Sequence, residues 1–251
     1  MEESAVTIPA RTPELLGQTV VVIGGSAGIG LETAKRARTE GAELVLVGRD
    51  PGRLKRAAEE LGAQRTEAFD ATDPAALATF FQDLQGPIDH VMVTAGGPSY
   101  GPLLEMSATE VRDAISDHAV LELEVARNAV GRVRPGGSLV FMGGTGARRV
   151  SRGLGAASAA TNALPSFTAS LALELAPVRV NLIAAGFVDT PLSASLLGDR
   201  IEERRAELRA TLPIGRVVGA ADVAALAIHL MVNTALTGAT YDIDGGQQFV
   251  S

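Results

Sequence analysis

Short runs of Val, Ile and Leu alternate with longer mixed segments along most of the chain, and that alternation predicts its elements. Thr19–Gly24 reads as a first strand and Gly30–Glu40 as the helix that follows. Glu43–Val47 and Pro51–Leu61 repeat the pair, with Asp50 placed to cap the second helix. Arg65–Phe69, His90–Thr94, Ser138–Met142, Val178–Ile183 and Ala239–Ile243 read as further strands. Pro74–Leu84, Ala108–Val130, Ala156–Leu175 and Ala221–Met231 read as further helices. Most strands are almost continuously apolar, the pattern of strands covered on both faces. The expected fold is therefore α/β: one doubly wound domain over residues 1–251, a parallel sheet of about seven strands with helices on both sides. Residues 1–16 read as a leader. Pro191–Pro213, with the charged run Asp199–Arg209, breaks the alternation and is the expected helical lid over a substrate.

The first strand-to-helix turn carries Gly24-Gly25-Ser26-Ala27-Gly28-Ile29-Gly30. Glycine there lets the chain turn sharply and lets a phosphate approach the backbone, while the helix N-terminus offers unpaired N–H groups and partial positive charge. A glycine-rich patch alone is weak; between a strand and a helix, at the first turn of a doubly wound fold, it points to a dinucleotide. The second strand ends at Gly48 rather than at an acid, and Arg49 follows. A guanidinium suits a 2′-phosphate and Ser26 adds a hydroxyl, so NADP(H) is favoured over NAD(H). Asp50 is the competing partner for Arg49.

Composition narrows the remaining possibilities. A net charge of −7 and a pI of about 5.1 argue against a nucleic-acid or anionic-membrane surface. The apolar runs are too short to span a bilayer, and no export signal is apparent, so the cytoplasm is expected. The chain has no cysteine, which removes disulfides and thiolate chemistry. Its three histidines, His90, His118 and His229, lack ligand-like spacing, so no metal site is expected.

Several segments in order resemble the short-chain dehydrogenase/reductase family, across essentially the whole chain. The glycine turn is similar to the family's T-G-x-x-x-G-I-G, Asp70-Ala71 to its adenine-contacting acid and neighbour, and Thr94-Ala95-Gly96-Gly97 to its N-N-A-G. Arg179-Val180-Asn181-Leu182-Ile183-Ala184-Ala185-Gly186 resembles R-V-N-x-x-x-P-G, with Ala185 where proline is usual. Thr190 matches the threonine that contacts the nicotinamide amide, and Asp244-Gly245-Gly246 matches D-G-G. The resemblance implies a Rossmann fold, a small-molecule substrate, a homodimer or homotetramer, and a cofactor held by Gly24, Ser26, Ala27, Gly28, Ile29, Gly30, Arg49, Asp70, Ala71, Ala95, Gly96, Thr161, Gly186, Val188 and Thr190. The two long helices would pair across the dimer, with Ala156-Ala157-Ser158-Ala159-Ala160 permitting close approach.

The family's catalytic Asn, Ser, Tyr and Lys have no counterpart. Their positions fall on His118, Gly144, Ala157 and Thr161, and the only tyrosines and lysines are Tyr100, Tyr241, Lys35 and Lys55. General acid catalysis is typically worth about 10²–10⁴-fold, so ordinary ketone reduction by the family's route should be weak or absent. The candidates to replace the missing acid are His118, Arg152 and Tyr100. His118 titrates nearest neutrality, but its plain alternative is a ring that takes over asparagine's structural hydrogen bonds. Arg152 lies with Thr145, Arg148, Arg149 and Ser151 after the fifth strand, where a guanidinium could polarise a carbonyl or simply be solvated. Tyr100 follows the fourth strand on a loop bordering the cofactor. Ser158 and Thr161 either contact the nicotinamide ribose or pack a helix. Three functions stay open: an oxidoreductase with unusual proton handling on an activated carbonyl, imine or enone; a non-hydride isomerase, dehydratase or cyclase in the same cleft; and a silent nucleotide-binding sensor or partner.

Overall fold

The structure, a computed structural model, describes residues 12–148 and 151–250. Seven strands form one parallel sheet: β1 (Thr19–Ile23), β2 (Glu43–Gly48), β3 (Arg65–Ala68), β4 (Ile88–Val93), β5 (Val133–Gly144), β6 (Arg179–Ala185) and, completing it, β9 (Thr240–Ile243). Their order is β3-β2-β1-β4-β5-β6-β9, so the strand order reverses beside β1 and opens a crevice at the C-terminal ends of β1 and β4. This is the doubly wound Rossmann sheet expected from the apolar runs.

Alternate side chains of each strand enter two separate cores. Val21 and Ile23 point toward α3 (Pro74–Asp83), α4 (Ala108–Ala129) and α5 (Gly155–Glu174), where they meet Phe81, Val125 and Leu164. Val20 and Val22 point toward α1 (Gly28–Thr39), α2 (Pro51–Leu61) and α8 (Ala220–Val232), where they meet Ala34, Leu54 and Ala227. Burying one such Val or Leu side chain contributes about 1.5–3 kcal/mol, which is why the strands are apolar on both faces. Truncating the fully buried Phe141 to Ala would cost about 3–5 kcal/mol.

Local chemistry sets the helix ends. Asp50 accepts a hydrogen bond from Arg53 N at 2.8 Å, Pro51 opens α2, and Gly62 closes it at φ +62°. Asp73 caps α3 through Ala75 N and Ala76 N. Ser107 and Glu110 exchange reciprocal hydrogen bonds at the start of α4.

Three features differ from the reading of the sequence. First, β5 begins at Val133 rather than Ser138. The β4–β5 register shifts between Ile88 and His90, so residues 134–137 form an excursion that the apolar pattern does not mark. Second, the leader ends early: residues 1–11 lie outside the described residues, but Leu15 is fully buried and its N–H bonds Glu40 O. Third, a second small sheet pairs β7 (Val188–Asp189) with β8 (Val218–Gly219), two strands too short for a periodicity signal. Between them lie α6 (Pro191–Leu197) and α7 (Ile201–Thr211), the segment expected as a lid. Arg205 on α7 grips Asp189 on β7 through two hydrogen bonds, at 3.0 and 2.6 Å, and so ties the segment to its base. Among the described residues no helix is long and apolar enough to cross a membrane.

Candidate functional site

The turn after β1 is built by backbone. Gly24 N and Gly25 N both donate to Val47 O, and Gly24 and Gly28 take φ of +98° and +54°. A Cβ on Gly30 would stand 2.6 Å from Thr94 Oγ1 and would also strike Gly24 O, so only glycine lets α1 pack so closely against β1 and β4. Thr94 Oγ1 donates to Ile23 O or Gly24 O, each at 3.3 Å. Gly28 leaves open space before Thr190, whose Cβ would lie 3.6 Å from an added Cβ. Ala27 and Ile29 complete the start of α1, where N–H groups and the helix dipole favour a phosphate.

At the adjoining strand ends the structure settles what Asp50 does: it caps α2 and pairs with Arg53, leaving Arg49 to another partner. Arg49 is 78% exposed and only 3.9 Å from Asp70, a loose surface pair of little energetic value. Asp70 accepts from Thr72 N and Thr72 Oγ1, and these bonds hold its carboxyl below the usual range. Ala71 is buried beside it. Ser26 packs over Gly48; a Cβ there would come 2.8 Å from Ser26 Oγ. A larger residue at 48 would therefore displace the hydroxyl that stands next to Arg49.

Of the three candidate proton donors, His118 is the one that stands against Gly96 in the loop after β4. Ala95 and Gly96 follow β4, Gly96 has φ +94°, and an added Cβ on it would lie 3.6 Å from His118 Nε2. The imidazole is half-buried, none of the described residues hydrogen-bonds it, and burial lowers its pKa, so it is neutral at neutral pH. Asparagine's structural hydrogen bonds are not reproduced. Tyr100 is 53% exposed, on a loop anchored by Gly101 N to Gly153 O. Arg152 is 88% exposed and lies 4.0 Å from Glu105. Arg148 pairs with Asp242 on β9, while Arg149 lies outside the described residues.

The C-terminal end of β5 and the start of α5 hold no acid. A Cβ on Gly144 would meet only ordinary contacts, the nearest Thr161 Cγ2 at 3.4 Å. Thr161 turns its hydroxyl back onto Ala157 O and Ser158 O of its own helix. Ser158 is buried and donates to Gly146 O at 3.0 Å. Both hydroxyls, open to a ribose contact on sequence grounds, are thus satisfied internally, and Ala157 offers no polar atom.

The C-terminal segments supply positioning that motif reading left without a role. A Cβ on Gly186 would come 2.6 Å from Asp244 Cβ. Buried Asp244 accepts from Gly246 N and Gln248 N. Gln247 Oε1 accepts from Phe187 N at 2.7 Å, a residue no motif marks. The segment runs from Gly186 through buried Val188 to Thr190, whose Oγ1 accepts from Ser193 N and caps α6. Arg179 is spent on the fold: it donates to Leu230 O and Met231 O at 2.6 Å each, closing the end of α8. His90 is also structural, held between Ser138 and Gln18, with burial pushing its pKa down to about 3. No cluster of three or more metal-ligating side chains exists among the described residues.

A family model described as enoyl-(acyl carrier protein) reductase matches residues 24–248. An uncharacterized oxidoreductase of Mycobacterium tuberculosis is 31% identical, over 92% of this chain and 92% of its own. The solved structure of a short-chain dehydrogenase/reductase described as glucose/ribitol dehydrogenase from Brucella melitensis superposes with a TM-score of 0.84. It is 27% identical and the match covers 94% of this chain and 98% of that one. A small-chain dehydrogenase solved in complex with NADPH gives a TM-score of 0.78 at 26% identity, over 92% and 99%.

Proposed function

The chain belongs to the short-chain dehydrogenase/reductase family of oxidoreductases, and from that premise we propose that it is an NADP(H)-dependent reductase of a small activated carbonyl, imine or enone, with His118 in place of the family's proton donor. The single observation that carries the reading is the pairing of a complete backbone cradle for a dinucleotide with a neutral, unpartnered imidazole beside Gly96. The cradle fits the cofactor: Gly28 leaves open space before Thr190 at the start of α1, and Gly24 and Gly30 let that start close onto β1 and β4, where a Cβ would collide. The residues that hold it are Ser26, Ala27, Ile29, Asp70, Ala71, Ala95 and Gly96 toward the adenosine and phosphates. Gly186, Val188, Thr190 and the neighbourhood of Thr161 hold it toward the nicotinamide. Arg49 takes the 2′-phosphate, which favours NADP(H); the NADPH complex of a structural neighbour supports nicotinamide binding in this fold. When bound, the cofactor supplies a hydride with its two electrons.

The chain's own residues place the substrate and manage one proton. Tyr100 is about half exposed and Arg152 88% exposed, whereas His118 stands against Gly96, so the proton is assigned to His118 Nε2. A neutral imidazole is a weak acid, which restricts turnover to substrates that need little acid help. The helical segment 191–213 closes over the substrate from its base at Asp189–Arg205. The protein is a homodimer or homotetramer through α4 and α5. Of the small run 156–160 only Ala159 is exposed, so close approach there falls to Ala159, Asn162, Ala163 and Ser166, which share the outer face of α5.

The test is a titration of the purified protein with NADPH and NADH, followed by turnover with dihydroisoquinoline as imine and ethyl pyruvate as activated carbonyl. Tighter NADPH binding and turnover of at least one substrate support the reading. Tight NADPH binding without turnover favours the silent nucleotide-binding protein instead. No binding of either cofactor overturns hydride chemistry altogether.

A further inference from the structure

Glu122 sits on α4 one turn beyond His118. It is 3% exposed, and neither carboxyl oxygen has a hydrogen-bond partner. An ionised carboxylate in such a place is costly unless paired, and the surroundings provide no cation. On α4 the nearby ionisable groups are Asp117, His118, Glu124 and Arg127, the last paired with Glu124, and α3, which also packs against α4, carries only Asp83. On α5, which packs directly against α4, no residue from Gly155 to Leu173 is charged. At the adjoining end of β5, Arg148 is occupied by Asp242. The group therefore keeps its proton, with burial raising its pKa to about 8. Thr168 Oγ1 on α5 is likewise buried without a partner. Three of the four such side-chain atoms among the described residues thus belong to these two helices, an unusual concentration, since most buried polar atoms are paired.

We propose that Glu122 is a proton-supplying residue that acts through His118, joined to it by a bridging water between α4 and α5. Residues four apart on a helix stand with Cβ atoms about 5–6 Å apart on one face, within the reach of one water. The role rests on the function proposed above. As the hydride reaches the substrate carbon, His118 gives its Nε2 proton to the substrate oxygen or nitrogen. Its Nδ1 takes a proton relayed from the Glu122 carboxyl, so the imidazole stays neutral throughout. When the product leaves, Nδ1 returns its proton to the Glu122 carboxylate and Nε2 takes one from solvent, which restores both groups for the next turnover. A neutral imidazole can then stand where the family uses Tyr and Lys, because the proton that replaces its own comes from a carboxylic acid one turn behind it on α4.

The experiment compares wild type, E122Q, H118Q and the double variant with the imine and the activated carbonyl, over a range of pH. Glutamine keeps the volume and neutrality of the protonated acid, so E122Q folds as wild type does at pH 5. The expected result is a kcat about 10²-fold lower for E122Q with KM unchanged, loss of the alkaline limb near pH 8, and no further loss in the double variant over H118Q. Independently of turnover, the melting temperature of wild type should fall relative to E122Q as pH rises from 4.5 to 8. Parallel melting curves would mean that Glu122 is ionised and overturn the proposal. Wild-type turnover with unchanged E122Q kinetics overturns the relay alone; a wild type silent on all substrates overturns the proposed function and the relay with it.

Discussion

The two halves of the cleft differ in what they are made of. The half at the ends of β1, β2 and β4 is built from backbone: N–H groups at the start of α1, carbonyls of Gly24 and Val47, and glycines that permit the close approach. The half at the ends of β5 and α5 is built in the family from side chains, and here those side chains are Gly144, Ala157 and Thr161. The first half could hold its ligand without any particular side chain except Arg49. The second, matched to the family's motifs, carries three small or unsuited residues at those positions, on a strand and helix that stand in place. A backbone site is as durable as the fold; a side-chain site can vanish from an intact fold and reappear one helix away. His118 and Glu122 on α4 mark where it reappears in the proposal made here.

The comparison is broken most severely by returning the lost group. G144S, A157Y and T161K together should raise reduction of an unactivated ketone by about 10²–10⁴-fold over wild type. The ordinary contacts around Gly144 leave room for the serine, and NADPH oxidation with a simple ketone measures the outcome. No gain would mean that the β5–α5 half is misplaced as well as stripped. Next in size is the pH response of Glu122. The unfolded chain releases this proton near 4.5 and the folded protein near 8, so folding holds a proton that raised pH removes. The stability of wild type relative to E122Q should thus be complete below pH 4.5 and lost through pH 8, by about 5 kcal/mol at most. Urea unfolding at matched pH values reads the gap.

A backbone-built half should instead resist side-chain changes and fail on steric ones. G30V places a branched side chain against Thr94 and Gly24 and should cost about 3 kcal/mol of stability along with dinucleotide binding, checked by calorimetric melting and NADPH titration. The smallest effect is expected at its one side-chain contact. R49A should weaken NADPH about 10-fold, the loss of one charge-assisted contact, while leaving NADH within twofold. Equal losses for both cofactors would place Arg49 away from the 2′-phosphate.

Much of the fold was legible before any coordinates. The strand at Thr19, the helix at Pro51–Leu61 with its Asp50 cap, and the glycine turn between β1 and α1 all follow from apolar periodicity, a capping side chain and glycine's positive φ, which are properties of neighbouring residues. The extra residues of β5, the β7–β8 pair and the buried Leu15 were not legible, because each depends on partners far along the chain. The site divides in the same way. The sequence by itself determined the glycine turn and the absence of any Tyr or Lys between Tyr100 and Tyr241, since a glycine pattern and a stretch without a residue type need no third dimension to be read. Only the tertiary structure decided which polar groups remain free to act. It turned Ser158 onto Gly146 O and Thr161 onto its own helix, spent Arg148 and Arg179 on partners, left Arg152 in solvent, and set His118 beside Gly96 with Glu122 buried one turn along α4. Whether a polar atom is available is fixed by the hydrogen bonds and burial its neighbours impose, and those neighbours come from elements that only folding brings together.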